Sequence, residues 1–383
     1  MMRRIHLVTA LLLLGMPALS SLWAQGTLST QGFGYPPGQM STRSRGTGGG
    51  LGQFDPDSPI NPAAIGNSSD PRVFLQYEPE FRRLSNGESA SNTMTARFPV
   101  ASASVPFARR GSLGASFSTF LDRSSSTTST QDQDIAGQTV PVTERTEILG
   151  AINDIRLAAG YVISSRIQIG IAGHVYTGQN RVLFSQSFPD TLRFSDVSQV
   201  STLGFTGYAA SAGVLLRPSR ILGFGLSARK GGSIESRSGD SVASKANIPD
   251  RIGAAVSYEG LTGVSFSAHA SRNLWSSLNG LGSTAATAVD TWEGGMGAEA
   301  LGPRIIARQT VLRLGARYRT LPYLAAGSEV NELSIGGGFG VQFFRNRAML
   351  DMSFERASRK PDSGSIDAGE RAFIFSFGLR VRP

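Results

Sequence analysis

From Pro71 to the C-terminus, short segments that alternate apolar with polar or small residues recur along the chain, and the links between them alternate short with long. In the last segment Phe373, Phe375, Phe377, Leu379 and Val381 share one face, and Ser376, Gly378, Arg380 and Arg382 share the other. The same period of two runs through 155–161, 264–271, 312–318 and 350–355, and it marks strands with one apolar face. A soluble sandwich alternates too, so the links decide. Tight links at 107–111, 164–166, 217–220, 259–261, 301–304 and 344–347 take turns with longer polar ones at 84–91, 122–147, 178–200, 230–247, 271–289, 320–329 and 357–370. That rhythm predicts an all-β fold, a transmembrane antiparallel β-barrel of about fourteen strands, with short turns at one rim and long loops at the other.

The 313 residues after Asp70 leave roughly 22 for each strand and link, enough for the ~9–11 that cross a bilayer. A barrel of that width cannot be filled by its own side chains. The segment 25–70 is the piece left to occupy the lumen. Its centre, residues 46–66 (GTGGGLGQFDPDSPINPAAIG), has no sustained period of two or of 3.6 and reads as compact irregular backbone. The expected organisation is a signal peptide (1–24), an N-terminal hatch or plug (25–70) and the barrel (71–383).

Residues 1–24 carry the signal-peptide order of charged (Arg3, Arg4), apolar and small residues; a retained helical anchor is the rival reading. No later stretch has eighteen apolar residues without charge, so no transmembrane helix is expected in the mature chain. Cysteine is absent, which excludes disulfides, thiolate metal sites and a lipidated cysteine. The formal charge of +9 falls to +7 when Arg3 and Arg4 leave with the signal. Its basic residues are scattered rather than clustered, so no nucleic-acid partner is expected.

The glycines 46, 48, 49, 50 and 52 follow no strand and precede no Lys-Ser or Lys-Thr, so they are not a phosphate cradle; they suit tight packing inside a barrel. His174 and His269 fall on the inward face with Ser265, Ser267, Asp351 and Glu355, but no spacing marks a triad or a metal set. Neither an enzyme nor a metal or cofactor is expected. The inward arginines Arg156, Arg313, Arg317, Arg380 and Arg382 face Glu293, Glu299, Asp351 and Glu355, which predicts pairing across strands and with the plug. Arg156, Arg313, Arg317, His174 and His269 are also the candidate lumen contacts for a ligand, an arginine being able to hold a carboxylate. Pro99 and Pro106 fall in an expected second strand, 98–107, where each removes a ladder hydrogen bond; a bulge at Pro99 and a strand end at Pro106 follow.

Residues 46–52 (GTGGGLG), Asp55, Asp57 and above all Asn61-Pro62-Ala63 just before the first strand resemble the FadL-like outer-membrane transporters of long-chain fatty acids and other hydrophobic compounds. Residues 249–258 (PDRIGAAVSY) resemble a strand of the same family. The chain departs from the family in ending Arg382-Pro383 rather than in an aromatic residue, and in the twenty or so residues before the glycine run. The resemblance implies a monomer in the bacterial outer membrane that passes a hydrophobic small molecule by diffusion, with 61–63 in the hatch and a lateral opening to outer-membrane lipid at a kink near Pro99 and Pro106. The sequence is similar as well to PorV-type barrels, which implies an alternative: a binding or structural component of a protein secretion machine.

Overall fold

The computed structural model describes residues 33–383 apart from 68–69, 87–88, 108, 136, 192, 282–286, 306–307, 326, 345–346 and 363–367. The expected signal peptide and residues 25–32 of the expected hatch lie outside the described residues. Among those described, seventeen strands form one antiparallel sheet. Its last strand, β17 (Ala368–Val381), pairs with its first, β1 (Arg72–Asn86), from Val73 opposite Val381 to Asn86 opposite Ala368, and this closes a barrel.

Three positions in the wall hold two strands end to end: β2 (Ser89–Arg97) with β3 (Val100–Phe107), β4 (Gly111–Asp122) with β5 (Ser125–Ile135), and β10 (Ser241–Asn247) with β11 (Arg251–Leu261). The others are β1, β6 (Gln138–Ser164), β7 (Ile167–Ser187), β8 (Val197–Leu216), β9 (Leu222–Ser238), β12 (Val264–Asn273), β13 (Thr291–Leu301), β14 (Thr310–Ala325), β15 (Ser328–Phe343), β16 (Ala348–Pro361) and β17. The barrel therefore has fourteen staves. An even number puts the start of β1 and the end of β17 at the same rim, called the lower rim below.

The wall is inside out relative to a soluble protein. Leu157, Ile171 and Leu314 are each 67% exposed on its outer surface, whereas Arg359 is wholly buried within. Such an apolar outer band around a charged interior is stable only against lipid. Along β17 the expected alternation holds: Phe373, Phe375, Phe377 and Leu379 face out, and Ser376 and Arg380 face in. Phe354 of β16 packs on Phe375 (5.2 Å between centroids) and Phe81 of β1 meets Phe375 edge-on (6.1 Å), so outward aromatics knit the closing seam.

The long polar links are in large part strand. The expected loop at 122–147 is a hairpin, with β5 and β6 paired from Ser125 opposite Ile148 to Ile135 opposite Gln138. Pairing of β7 with β8 likewise continues to Gln186 opposite Val197, and the expected link at 84–91 lies almost wholly within the β1–β2 hairpin. The outer ends of these ladders carry polar Thr, Ser and Gln on both faces, as suits strand tips wet on both sides, so no apolar period remains there; threonine still favours strand. Residues 274–281 and 287–290 do leave the wall. Their 3₁₀ turn Trp275–Leu278 folds inward and buries Trp275, Leu278, Leu281 and Ala288 in the upper lumen against Phe33, Tyr35, Phe120 and Tyr176.

Residues 33–67 lie inside the barrel. They contain one short helix, α1 (Thr42–Gly46), packed on β14–β17, and a 3₁₀ turn, Pro62–Asn67, packed on β4 and β6–β8. This inner segment makes a polar lower layer in the lumen, and the apolar cluster with Phe33 and Trp275 makes an upper one.

Candidate functional site

Glycine on both sides lets the inner segment touch the wall backbone to backbone. A Cβ at Gly46 would lie 3.2 Å from the Gly338 Cα, one at Gly49 2.6 Å from the His269 ring, and one at Gly50 2.5 Å from Ser267 Oγ. Gly48 presses on the backbone of Ala316, and the wall answers with Gly295, Gly297 and Gly315, where any Cβ would overlap Thr47 or Gly48. Gly48 and Gly49 also hold φ of +59° and +86°, in the left-handed region that glycine tolerates. Gly52 is different: a side chain there would meet Ile60 within the segment itself.

At the other end of the segment, the Asn61 Oδ1 accepts from the Ala63 backbone N–H (2.9 Å) and caps the turn that Pro62 begins. The Asn61 amide reaches the Leu226 and Val214 carbonyls at 3.4 and 3.5 Å. Beneath it, Gly213 and Gly170 leave room for Asn61 and Pro62, and Ala63 is buried with Ala64 and Leu215. Asn61-Pro62-Ala63 thus seats the segment on β7–β9. Ion pairs seat α1, Arg43 to Glu299 (2.6 Å) and Arg45 to Glu78 (2.6 Å) and Glu355 (3.3 Å), and further along the segment Asp57 pairs with Arg380. Burial works against ionisation of Asp55, but Arg43, Arg380 and the Ser41 hydroxyl outweigh it and hold its carboxyl below the ordinary range.

Above α1 the ring of Tyr35 lies among four guanidinium groups, those of Arg359 (4.4 Å), Arg319 (4.9 Å), Arg97 (5.2 Å) and Arg82 (5.3 Å). Its hydroxyl donates to Glu332 (2.9 Å). Glu332 also accepts from Arg359 (2.6 Å), Arg319 (2.7 Å) and Arg317 (3.5 Å), while Glu80 accepts from Arg359 (2.8 Å), Arg82 (2.9 Å) and Arg97. Burial raises the Tyr35 phenol above its ordinary value against the pull of Arg319 and Arg359, so it stays a neutral donor. Each cation–π contact is worth roughly 0.5–2 kcal/mol, and the network chiefly fixes position, since buried ion pairs spend most of their attraction on desolvation. The sequence reading missed this hub. Its signal was the inward period-two charge of Glu78, Glu80 and Arg82, interrupted by Pro79.

Beside the hub the wall is broken. β3 pairs with β4 from Phe107 opposite Gly111 up to Val100 opposite Ser118, and the Pro99 carbonyl accepts the last bond, from Thr119 N–H (3.1 Å). Above that, β2 pairs with β1 alone and β5 with β6 alone, so among the described residues two strand edges face each other unpaired. Pro99 sits in the break. Pro106 does not; it lies within the continuous β3–β4 ladder, opposite Ser112. One contact spans the lower end of the break, Arg97 Nη1 to Asp122 Oδ2 (3.2 Å), and on its lumen side Tyr35 of the inner segment exchanges backbone hydrogen bonds with Asp122 (2.7 and 2.8 Å) in a one-residue bridge. Behind them lies the apolar upper layer, including Phe33, Leu84, Phe120 and Leu121. A lumen cavity of about 60 Å³ lies between Met40, Phe120, Trp275 and Arg319. Ligand pockets are typically about 300–1,000 Å³, so this cavity is too small to hold a drug-sized ligand as it stands.

The candidate lumen contacts divide. Arg313 is held by Glu299 (2.7 Å) and Asp351 (2.6 Å), Arg317 by Glu355 (2.9 Å), and His269 by Glu293 (3.3 Å). His174 Nδ1 donates to Asp154 (2.9 Å), and its Nε2 lies 2.8 Å from Ser211 Oγ. That is the order of a nucleophile, base and orienting acid. However, Asp154 also accepts from Gln39 of the inner segment (2.7 Å), and Ser211 lines none of the cavities described here, so these groups anchor Gln39. Arg156 is buried, and its Nε and Nη2 make no hydrogen bond to a described residue.

With the geometry in view, the likeness to known structures is direct. No protein-family model matches the chain, and no curated protein matches it by sequence. A FadL homologue of Pseudomonas aeruginosa superposes with a TM-score of 0.65 at 14% identity, over 91% of this chain and 99% of that one. The chain has the FadL fold. CymD, a monoaromatic hydrocarbon channel, shares the FadL-like fold with a TM-score of 0.55 at 14% identity, over 90% and 97% of the two chains. The Pseudomonas putida toluene transporter TodX does so with 0.54 at 11% identity, over 91% and 97%.

Proposed function

We propose that this FadL-like barrel is an outer-membrane diffusion channel for hydrophobic small molecules, long-chain fatty acids or hydrocarbons among them, and that it works without a nucleotide or cofactor. The observation that carries this reading is the unpaired stretch of wall above Pro99 beside an apolar upper lumen. A closed barrel has every backbone group paired in the membrane, because an unpaired one in lipid costs several kcal/mol. A break kept at this place therefore calls for a use. An apolar molecule that reaches the upper lumen leaves sideways into lipid through it, driven by removal of its surface from water. In this scheme residues 33–67 are the hatch: Tyr35 and Arg97 bar the break, and Asn61-Pro62-Ala63 and the glycine seam hold the hatch to the wall. Pro99 belongs to the opening and Pro106 does not.

The FadL homologue, CymD and TodX support the reading by fold, and the last two are a monoaromatic hydrocarbon channel and a toluene transporter. Mass spectrometry of the protein purified in mild detergent tests it. An apolar ligand at near-stoichiometric amount is the expected result. Stoichiometric co-purifying protein with no apolar ligand would instead place the chain with barrels that serve a secretion machine.

A further inference from the structure

Below the break, where β3 and β4 are paired, a cavity of about 10 Å³ lies between the hatch and the wall. Pro56, Pro59 and Ile65 line it from the hatch, and Ser104, Ser116 and Arg156 line it from β3, β4 and β6. Arg156 is 3% exposed. Its Nε and Nη2, Ser104 Oγ and Ser116 Oγ all lack a hydrogen-bond partner among the described residues. Arg156 and Ser116 are direct cross-strand neighbours, and Ser104 stands on the next strand opposite Gly114. Arg313, Arg317, Arg319 and Arg359 each have a carboxylate within 4 Å, but Asp154, the acid two residues from Arg156, is engaged by His174 and Gln39.

We propose that Arg156, Ser104 and Ser116 form a binding site for one small inorganic monovalent anion of chloride size, held between wall and hatch. A guanidinium removed from water needs a counter-charge as well as hydrogen-bond partners, and water supplies only the second. The cavity is small, about 10 Å³, so a monatomic ion needs less widening of the seam than tetrahedral sulfate or phosphate would. A second feature points the same way. A lower-rim pocket of about 200 Å³ carries Arg43, Arg72, Arg217, Arg380 and Arg382 against Asp55, and it shares Pro56 with the buried cavity. That mouth concentrates anions beside the site. The anion steadies the seam between hatch and wall, whatever molecule the barrel passes.

The test exchanges the purified protein from sodium gluconate into sodium bromide at equal ionic strength. Anomalous diffraction from bromide-grown crystals should show a peak among Arg156, Ser104 and Ser116. Arg156→Met should abolish it. The double variant Ser104→Ala/Ser116→Ala keeps the arginine, covers the case in which Arg156→Met fails to assemble, and should weaken bromide half-saturation about tenfold. In solution, bromide should raise the thermal unfolding midpoint of the wild type over gluconate, and the rise should shrink in the double variant. Density without anomalous signal at the site, or equal midpoints in the two salts, would overturn the assignment.

Discussion

Arg97 and Asp122 join side chains across the first rung of the wall that the backbone leaves open, with Nη1 and Oδ2 3.2 Å apart. Arg97 is the last residue of β2 and Asp122 the last of β4. Asp122→Asn should weaken this clasp by about 1–3 kcal/mol and leave Arg97 its contacts with Glu78 and Glu80. The barrel should still assemble, and uptake of an apolar fluorophore into proteoliposomes should rise several-fold, which a stopped-flow assay reads.

Glu332 is shared by Arg317, Arg319, Arg359 and the Tyr35 hydroxyl. Glu332→Gln leaves buried cations without their counter-charge, a loss of roughly 3–5 kcal/mol. Tyr35→Phe removes one neutral donor and should cost about 0.5–1.5 kcal/mol. Urea midpoints of the two variants in detergent should fall in that order.

How far these residues could be read in advance depended on whether their partners were local. Phe373, Phe375 and Phe377 declared the outer face because lipid demands an apolar residue at every second position, and Arg313 and Arg317 declared the inner face by the same alternation. The upper hairpins gave no such signal, since water on both sides imposes no period. Tyr35 was illegible for another reason: its partner Glu332 lies 297 positions away, and nothing in its neighbourhood marks the contact. The glycine run was legible as tight packing, but its answering glycines at 295, 297 and 315 look like ordinary strand positions until Thr47 and Gly48 are packed on them.

Gly315→Val places a side chain where Thr47 and Gly48 sit, and leaves the outward neighbours Leu314 and Ala316 unchanged. Overpacking of this kind typically costs about 1–3 kcal/mol, and the inner segment that makes the contact is expected to give way. The variant should fold as a barrel with the usual heat-modifiable mobility, while hatch residues 44–52 gain amide exchange. Failure to assemble would mean that the hatch is a folding core.

Asp55 has a depressed folded pKa, so its ion pairs and its hydrogen bond to Ser41 stabilise the seated hatch at pH above the ordinary aspartate value of 3.8. That contribution fades as pH falls through the depressed value. Amide exchange around Ser41, Ser44 and Asp55, corrected for intrinsic rates, should accelerate as the pH falls below about 4. In Asp55→Asn the acid-induced acceleration should be reduced.

The proposed lateral route is tested most directly by tying the two edges of the break together. The chain contains no cysteine, so cysteines placed at Ala96 on β2 and Ser126 on β5 would be the sole thiols for a flexible, cleavable crosslinker. Uptake of an apolar fluorophore into the bilayer of proteoliposomes is then measured before linking, after linking and after cleavage. A lateral route predicts that linking suppresses uptake about tenfold and that cleavage restores it. Uptake that is unchanged by the closed link would contradict passage through this break in the wall.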